Sequence, residues 1–99
     1  MRDPAIMQQV KDTLAQISEI APGHAVELRI PPYSAIQCVE GPKHTRGTPP
    51  NVVEMSAEIL FGLADGSVDW SQAISTGAIH ASGERSDLSA LFARLSSRN

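Results

Sequence analysis

The chain has 99 residues, enough for one domain with a modest core. Its 41% hydrophobic and 19% charged residues match an ordinary globular protein, and a net charge of −3 excludes a surface built throughout to hold nucleic acid. The single cysteine, Cys38, excludes an internal disulfide or a site made of several thiolates. Met1 is followed by Arg2, Asp3 and Pro4 rather than by an apolar run, so no signal peptide is expected. No stretch reaches transmembrane length, and the expected location is the cytoplasm.

Asp3-Pro4 predicts a helix start, because Asp caps free N–H groups and Pro fits the first helical position. Ile6, Val10, Leu14 and Ile17 then recur at helical spacing until Pro22-Gly23 ends the run. Ala25 to Ile30 alternates, with Val26, Leu28 and Ile30 on one face and Glu27 and Arg29 on the other. Pro31-Pro32 breaks that strand, and Ser34 to Glu40 predicts a second one, paired with the first in a hairpin or meander. Ile36 and Cys38 lie on one of its faces, Ala35, Gln37 and Val39 on the other.

Asn51 to Met55 predicts a third strand, and Ser56 caps a helix from Ala57 to Ala64 that stops at Gly66. Asp69 caps a short helix from Trp70 to Thr76, with Trp70, Ala73 and Ile74 on its packing side. Ala78 to Ser82 predicts a fourth strand. A last helix, capped by Ser86 or Asp87, carries Leu88, Leu91, Phe92 and Leu95, and residues 96–99 are expected to fray. Grouped strands and grouped helices predict a single α+β domain over 1–99, a mostly antiparallel sheet covered on one face by helices.

Between the second and third strands lies GPKHTRGTPPN, Gly41 to Asn51. Lys43 and Arg46 bring two positive charges, and His44, Thr45, Thr48 and Asn51 add polar side chains. That composition suits an anion-binding loop for a carboxylate, a phosphate or a lipid headgroup. The plain alternative is a crossover stiffened by Pro42, Pro49 and Pro50 with its charges in water. A phosphate-binding P-loop is excluded, because this segment leads into a strand and not a helix.

Val53 to Ser56, Leu60 to Leu63, Gly66, Trp70, Ala73, Gly77 to Ile79 and Ala81 to Gly83 resemble the sterol carrier protein-2 family. Asp3 to Ala5, Ala21 to Pro32, Ala35 to Glu54 and Ala81 to Ser89 are similar to its short actinobacterial branch, the bacterial sterol-carrier-like proteins. The resemblance implies an α+β fold whose helices and sheet can enclose an apolar tunnel for sterols, phospholipids or acyl chains. Most bacteria make no sterols, so the name does not identify the ligand. Similar modules also accompany the catalytic domain of mycothiol-dependent isomerase-type enzymes. On this basis Leu60, Leu63, Trp70, Leu88, Leu91 and Phe92 are candidates to line a cavity, although apolar helical stripes ordinarily just face a sheet.

No residue is assigned to catalysis. Cys38 sits mid-strand among apolar neighbours and reads as core rather than nucleophile. His24, His44 and His80 are too scattered for a helical metal motif, and no metal or cofactor is expected. Glu27 and Glu58 read as a strand's polar side and a helix's first turn, while Glu54 faces solvent or reaches back to Arg46. The expected function is therefore non-enzymatic binding of an apolar or amphipathic, lipid-like small molecule, with the basic loop meeting its anionic group. The alternative is an accessory module that docks on a partner enzyme and has no ligand cavity.

Overall fold

A computed structural model describes residues 3–41 and 51–98. The elements follow the predicted order: α1 (Pro4–Ile20), β1 (Val26–Ile30), β2 (Ser34–Cys38), β3 (Asn51–Met55), α2 (Ala57–Asp65), α3 (Trp70–Ser75), β4 (Ile79–Ser82) and α4 (Ser89–Arg98). The four strands form one sheet in the order β2-β1-β3-β4. β1 and β2 make the hairpin expected at the Pro31-Pro32 corner, and β3 and β4 are also antiparallel. β1 and β3 are parallel, so the sheet is mixed. The chain leaves β2 at the end of the sheet where β1 begins and enters β3 at that same end, which places β3 alongside β1 in the same direction.

The caps work as the residue types require. Asp3 Oδ1 accepts the N–H of Ala5 at 2.8 Å, which satisfies a donor that no helical carbonyl reaches. The stripe Val10, Leu14 and Ile17 is buried, and Thr13 joins it because its hydroxyl donates to the Gln9 carbonyl at 2.9 Å. On β1, Val26, Leu28 and Ile30 are fully buried, and their cross-strand partners Cys38, Ile36 and Val53 share that face. Met55 and Ile79 extend it, and Leu60, Leu91 and Leu95 pack down from the helices. The opposite face carries Glu27, Arg29, Gln37, Glu54, His80 and Ser82, all exposed or half-buried.

Three local readings change. β2 ends at Cys38 and not at Glu40, because Val39 turns to φ 70°. Its N–H then donates to the Ala21 carbonyl, and its own carbonyl accepts from Ala25 N–H, so the pairing moves from β1 to the α1–β1 turn. Ile74 does not share the packing side of α3 with Trp70 and Ala73. It is 38% exposed and lines a depression along β4 instead of joining the core cluster. Helix α4 continues through Ser96 and Ser97 to Arg98, and both hydroxyls donate back to the Ala93 carbonyl. Its start is fixed by Asp87, whose carboxylate accepts the Ser89 N–H and is held below the usual carboxyl range by that bond.

Gly62, inside α2, has a packing reason. A Cβ there would stand 2.3 Å from Val68 Cγ2, because the chain folds back after Gly66 and Val68 N–H donates to the Gly62 carbonyl. Helix propensity alone would make Gly62→Ala stabilising by about 1 kcal/mol. We expect the opposite sign, a loss of about 1 kcal/mol, since overpacking against Val68 outweighs the backbone gain. Urea denaturation measures it directly.

Candidate functional site

The groove between α2, α3 and α4 is assembled from short-range signals. Ser56 Oγ accepts the Ile59 N–H and starts α2, and Gly66 closes it at φ 86°, a left-handed turn that glycine adopts without steric cost. The Gly62–Val68 contact returns the chain across the end of α2. Asp69 Oδ2 then accepts the Gln72 N–H and starts α3 with Trp70 as its first residue. Trp70 stacks on Phe92 of α4, with ring centroids 6.0 Å apart and planes 24° apart.

The resulting depression holds about 260 Å³. Leu63, Val68, Trp70 and Phe92 supply its apolar surface, and Asp69, Ser71, Ser89 and Ser96 its polar rim. Of the six side chains considered as cavity lining, the structure brings Leu63, Trp70 and Phe92 together here. Leu60, Leu88 and Leu91 do not line it; they belong to the core between helices and sheet, to which Leu63 and Phe92, each 3% exposed, belong as well. Val10, Ile17, Leu28, Val53 and Leu95 fill the same layer without exposure.

Lys43, His44, Thr45, Arg46 and Thr48 lie outside the described residues. The two ends of their segment are described. Gly41 packs on Ala25 and Arg85: a Cβ at Gly41 would be 2.8 Å from Ala25 Cβ and 3.1 Å from Arg85 Nε. A further cation therefore stands at the root of the basic segment, joined to it by the fold across more than forty residues of chain. No periodicity or spacing in the sequence singles out Arg85. Asn51, at the other end, is buried, and its amide is engaged inside the protein. Nδ2 donates to the Ala25 carbonyl at 2.9 Å, and Oδ1 accepts from the Arg85 N–H at 2.9 Å.

The sheet face opposite the core holds a second set of polar groups. Glu27 and Arg29 form an ion pair along β1. Arg29, Glu54 and His80 follow one another across β1, β3 and β4. Glu54 borders two shallow depressions, one toward Pro31, Pro32 and Tyr33 and one along β4.

Cys38 is fully buried, and desolvation pushes its thiol up to about 11, which disfavours the thiolate a nucleophile requires. His24 Nδ1 is 3.0 Å from Gln37 Oε1 on the surface. Among the described residues no three His, Cys, Asp or Glu side chains converge as metal ligands would. Nor is any helix among them long and apolar enough to cross a membrane.

A family model described as "Bacterial SCP ortholog", SCP standing for sterol carrier protein, matches residues 2–93. No curated protein matches the chain.

Proposed function

The chain belongs to this bacterial sterol-carrier-like family, matched over nearly its whole length, and we propose that it is a non-enzymatic module that binds an amphipathic, lipid-like small molecule. The observation that carries the reading is the stacked Trp70–Phe92 pair flooring a groove between three helices. Aromatic floors with a few polar rim groups are the usual make-up of small-molecule sites. The groove's volume, about 260 Å³, is below the common range for drug-sized ligands, which favours a chain end or a single ring over a fused ring system. Apolar burial would drive binding. Lys43, His44, Thr45, Arg46 and Thr48 would meet the anionic group, with Arg85 at their root. The lone, buried Cys38 fits a reducing cytoplasm.

A second reading, docking on a partner enzyme, is favoured by the filled layer between sheet and helices, where a carrier's tunnel would run.

Trp70 is the only tryptophan and lies in the groove, so its emission reports on occupancy. Titration with dodecanoate and with dodecanol is expected to give a saturable change for both, and tighter binding for the carboxylate. Ala93→Phe, which fills the groove from an exposed position, is expected to weaken both ligands at least about tenfold, or 1.4 kcal/mol. Arg46→Ala is expected to remove the preference for dodecanoate and leave the melting temperature nearly unchanged. Emission that stays constant up to millimolar ligand would overturn the binding reading and leave the docking one.

A further inference from the structure

The groove between α2, α3 and α4 has a charge character of its own. Among the described residues that line it, Asp69 is the only charged one; the others are apolar side chains, serines and Gly66. Asp69 precedes Trp70 directly, so a carboxylate and an indole border the same space. Trp70 is half-buried and is held in place by its stack on Phe92, which is 3% exposed. An indole is the side chain whose ring attracts a cation most strongly.

The backbone around the groove points the same way. Helix α2 ends at Gly66, on the groove's border, and its last turn carries no basic side chain. A helix C-terminus bears partial negative charge, and here no cation of its own answers it. The starts of α3 and α4 also reach the groove, through Trp70, Ser71 and Ser89. Free N–H groups there would attract an anion, but each start already holds a carboxylate: Asp69 accepts from Gln72 N–H and Asp87 from Ser89 N–H.

We propose that the group this groove receives is an organic ammonium, quaternary or primary, at one end of the ligand. The assignment rests on the groove being the small-molecule site described above. A bare alkyl end would take water from the Asp69 carboxylate and return no partner. A phosphate or carboxylate placed there would oppose that charge. An ammonium offsets the lost hydration, meets the indole, and brings apolar methyl or methylene groups to Leu63 and Val68. The hydroxyl oxygens of Ser71, Ser89 and Ser96 add acceptors at the rim, and the Ser96 hydroxyl, which donates to the Ala93 carbonyl, keeps lone pairs for the purpose.

Choline and 3,3-dimethylbutan-1-ol share a shape and differ by one positive charge. Emission of Trp70, the only tryptophan, is expected to show choline bound at least about tenfold more tightly at constant ionic strength, the scale of a desolvated cation–aromatic contact. Asp69→Asn keeps a good helix cap and removes the charge. It is expected to weaken choline at least about threefold, the scale of an exposed charge pair, with unchanged circular dichroism and unchanged affinity for the neutral isostere. Dodecyltrimethylammonium separates two sources of the group. Binding far tighter than that of choline marks the ammonium as the end of an amphiphile, and equal binding marks a free small amine. Equal affinity for choline and its isostere would overturn the proposal, and so would a choline affinity that Asp69→Asn leaves untouched. Dodecanol tells this failure from failure of the groove itself. Saturation by dodecanol with none by choline removes the ammonium and keeps the site, whereas emission that ignores every probe removes both.

Discussion

Replacing Asn51 by alanine is expected to cost about 3 kcal/mol of stability, because one buried and one part-buried backbone group lose their partners at once. Asn51 is 6% exposed, and its amide is bonded on both sides, to the Ala25 carbonyl and to the Arg85 N–H. Alanine can replace neither bond. An unpaired buried polar group costs about 1–3 kcal/mol, which applies to the Ala25 carbonyl, and the part-buried Arg85 N–H adds a smaller loss. For a domain of this size the melting temperature should fall by roughly 12–24 °C, at 4–8 °C per kcal/mol. Asn51→Asp is expected to be nearly as damaging, since a carboxylate can still accept from Arg85 but presents no donor to Ala25. Thermal unfolding followed by circular dichroism decides it, and a loss under about 0.5 kcal/mol, the size of an ordinary surface effect, would show that the amide is not the clamp.

The consequence for function lies in what those two bonds connect. Ala25 precedes β1, Asn51 opens β3, and Arg85 lies between β4 and α4. One side chain thus ties three separate parts of the chain together at the end of the sheet where the basic segment is rooted. Grouped by sequence with the loop's anion donors, Asn51 is better understood as the loop's anchor. It separates two kinds of variant. Changes at Arg46 should act on ligand and spare stability, whereas changes at Asn51 should act on stability and on ligand through the displaced root.

The features legible in the sequence are those that depend on neighbours along the chain. Asp3, Ser56 and Asp69 cap the helices they precede, because a cap is a contact of two or three residues. Val26, Leu28 and Ile30 are buried together, because strand alternation is local as well. The parallel pairing of β1 with β3 is not local, and no pattern within either strand records it. The same holds for the cavity candidates. Leu60 and Leu63 share one helical stripe and are both buried in the core, yet only Leu63 also borders the groove, according to where α3 and α4 pass. Ile74 fails for a related reason: periodicity places it beside Ala73, but does not say which other elements pack on that side of α3. Arg85 reaches Gly41, and Val68 reaches Gly62, only once the chain is folded.

Gly23→Ala is expected to be more damaging still, at about 3–5 kcal/mol, since overpacking and a forbidden backbone angle act together. Gly23 has φ +143°, a conformation that side-chain-bearing residues rarely adopt. Its missing Cβ would also lie 2.2 Å from the Val39 carbonyl oxygen and 2.7 Å from the Glu40 nitrogen. Those atoms are backbone, so no rotamer change can relieve the clash. Val39 cannot easily retreat, because its N–H is bonded to the Ala21 carbonyl at 2.8 Å and its carbonyl to the Ala25 N–H at 3.0 Å. It already holds a left-handed φ of 70°, a strain of about 1–3 kcal/mol for a residue of its kind, which those two bonds offset. Alanine at 23 would push Val39 away and forfeit both bonds together with the bend that delivers Glu40 and Gly41 to the basic segment. Total stability for a domain of this kind is only about 5–15 kcal/mol, so the variant should sit near the unfolding threshold at 37 °C. Val39→Gly supplies the matched test: by relieving strain at the partner position it should recover part of the loss in the double variant, and the cycle should show coupling of about 1 kcal/mol or more. Strict additivity would mean that Gly23 is required for its own backbone angle and not for the approach of Val39.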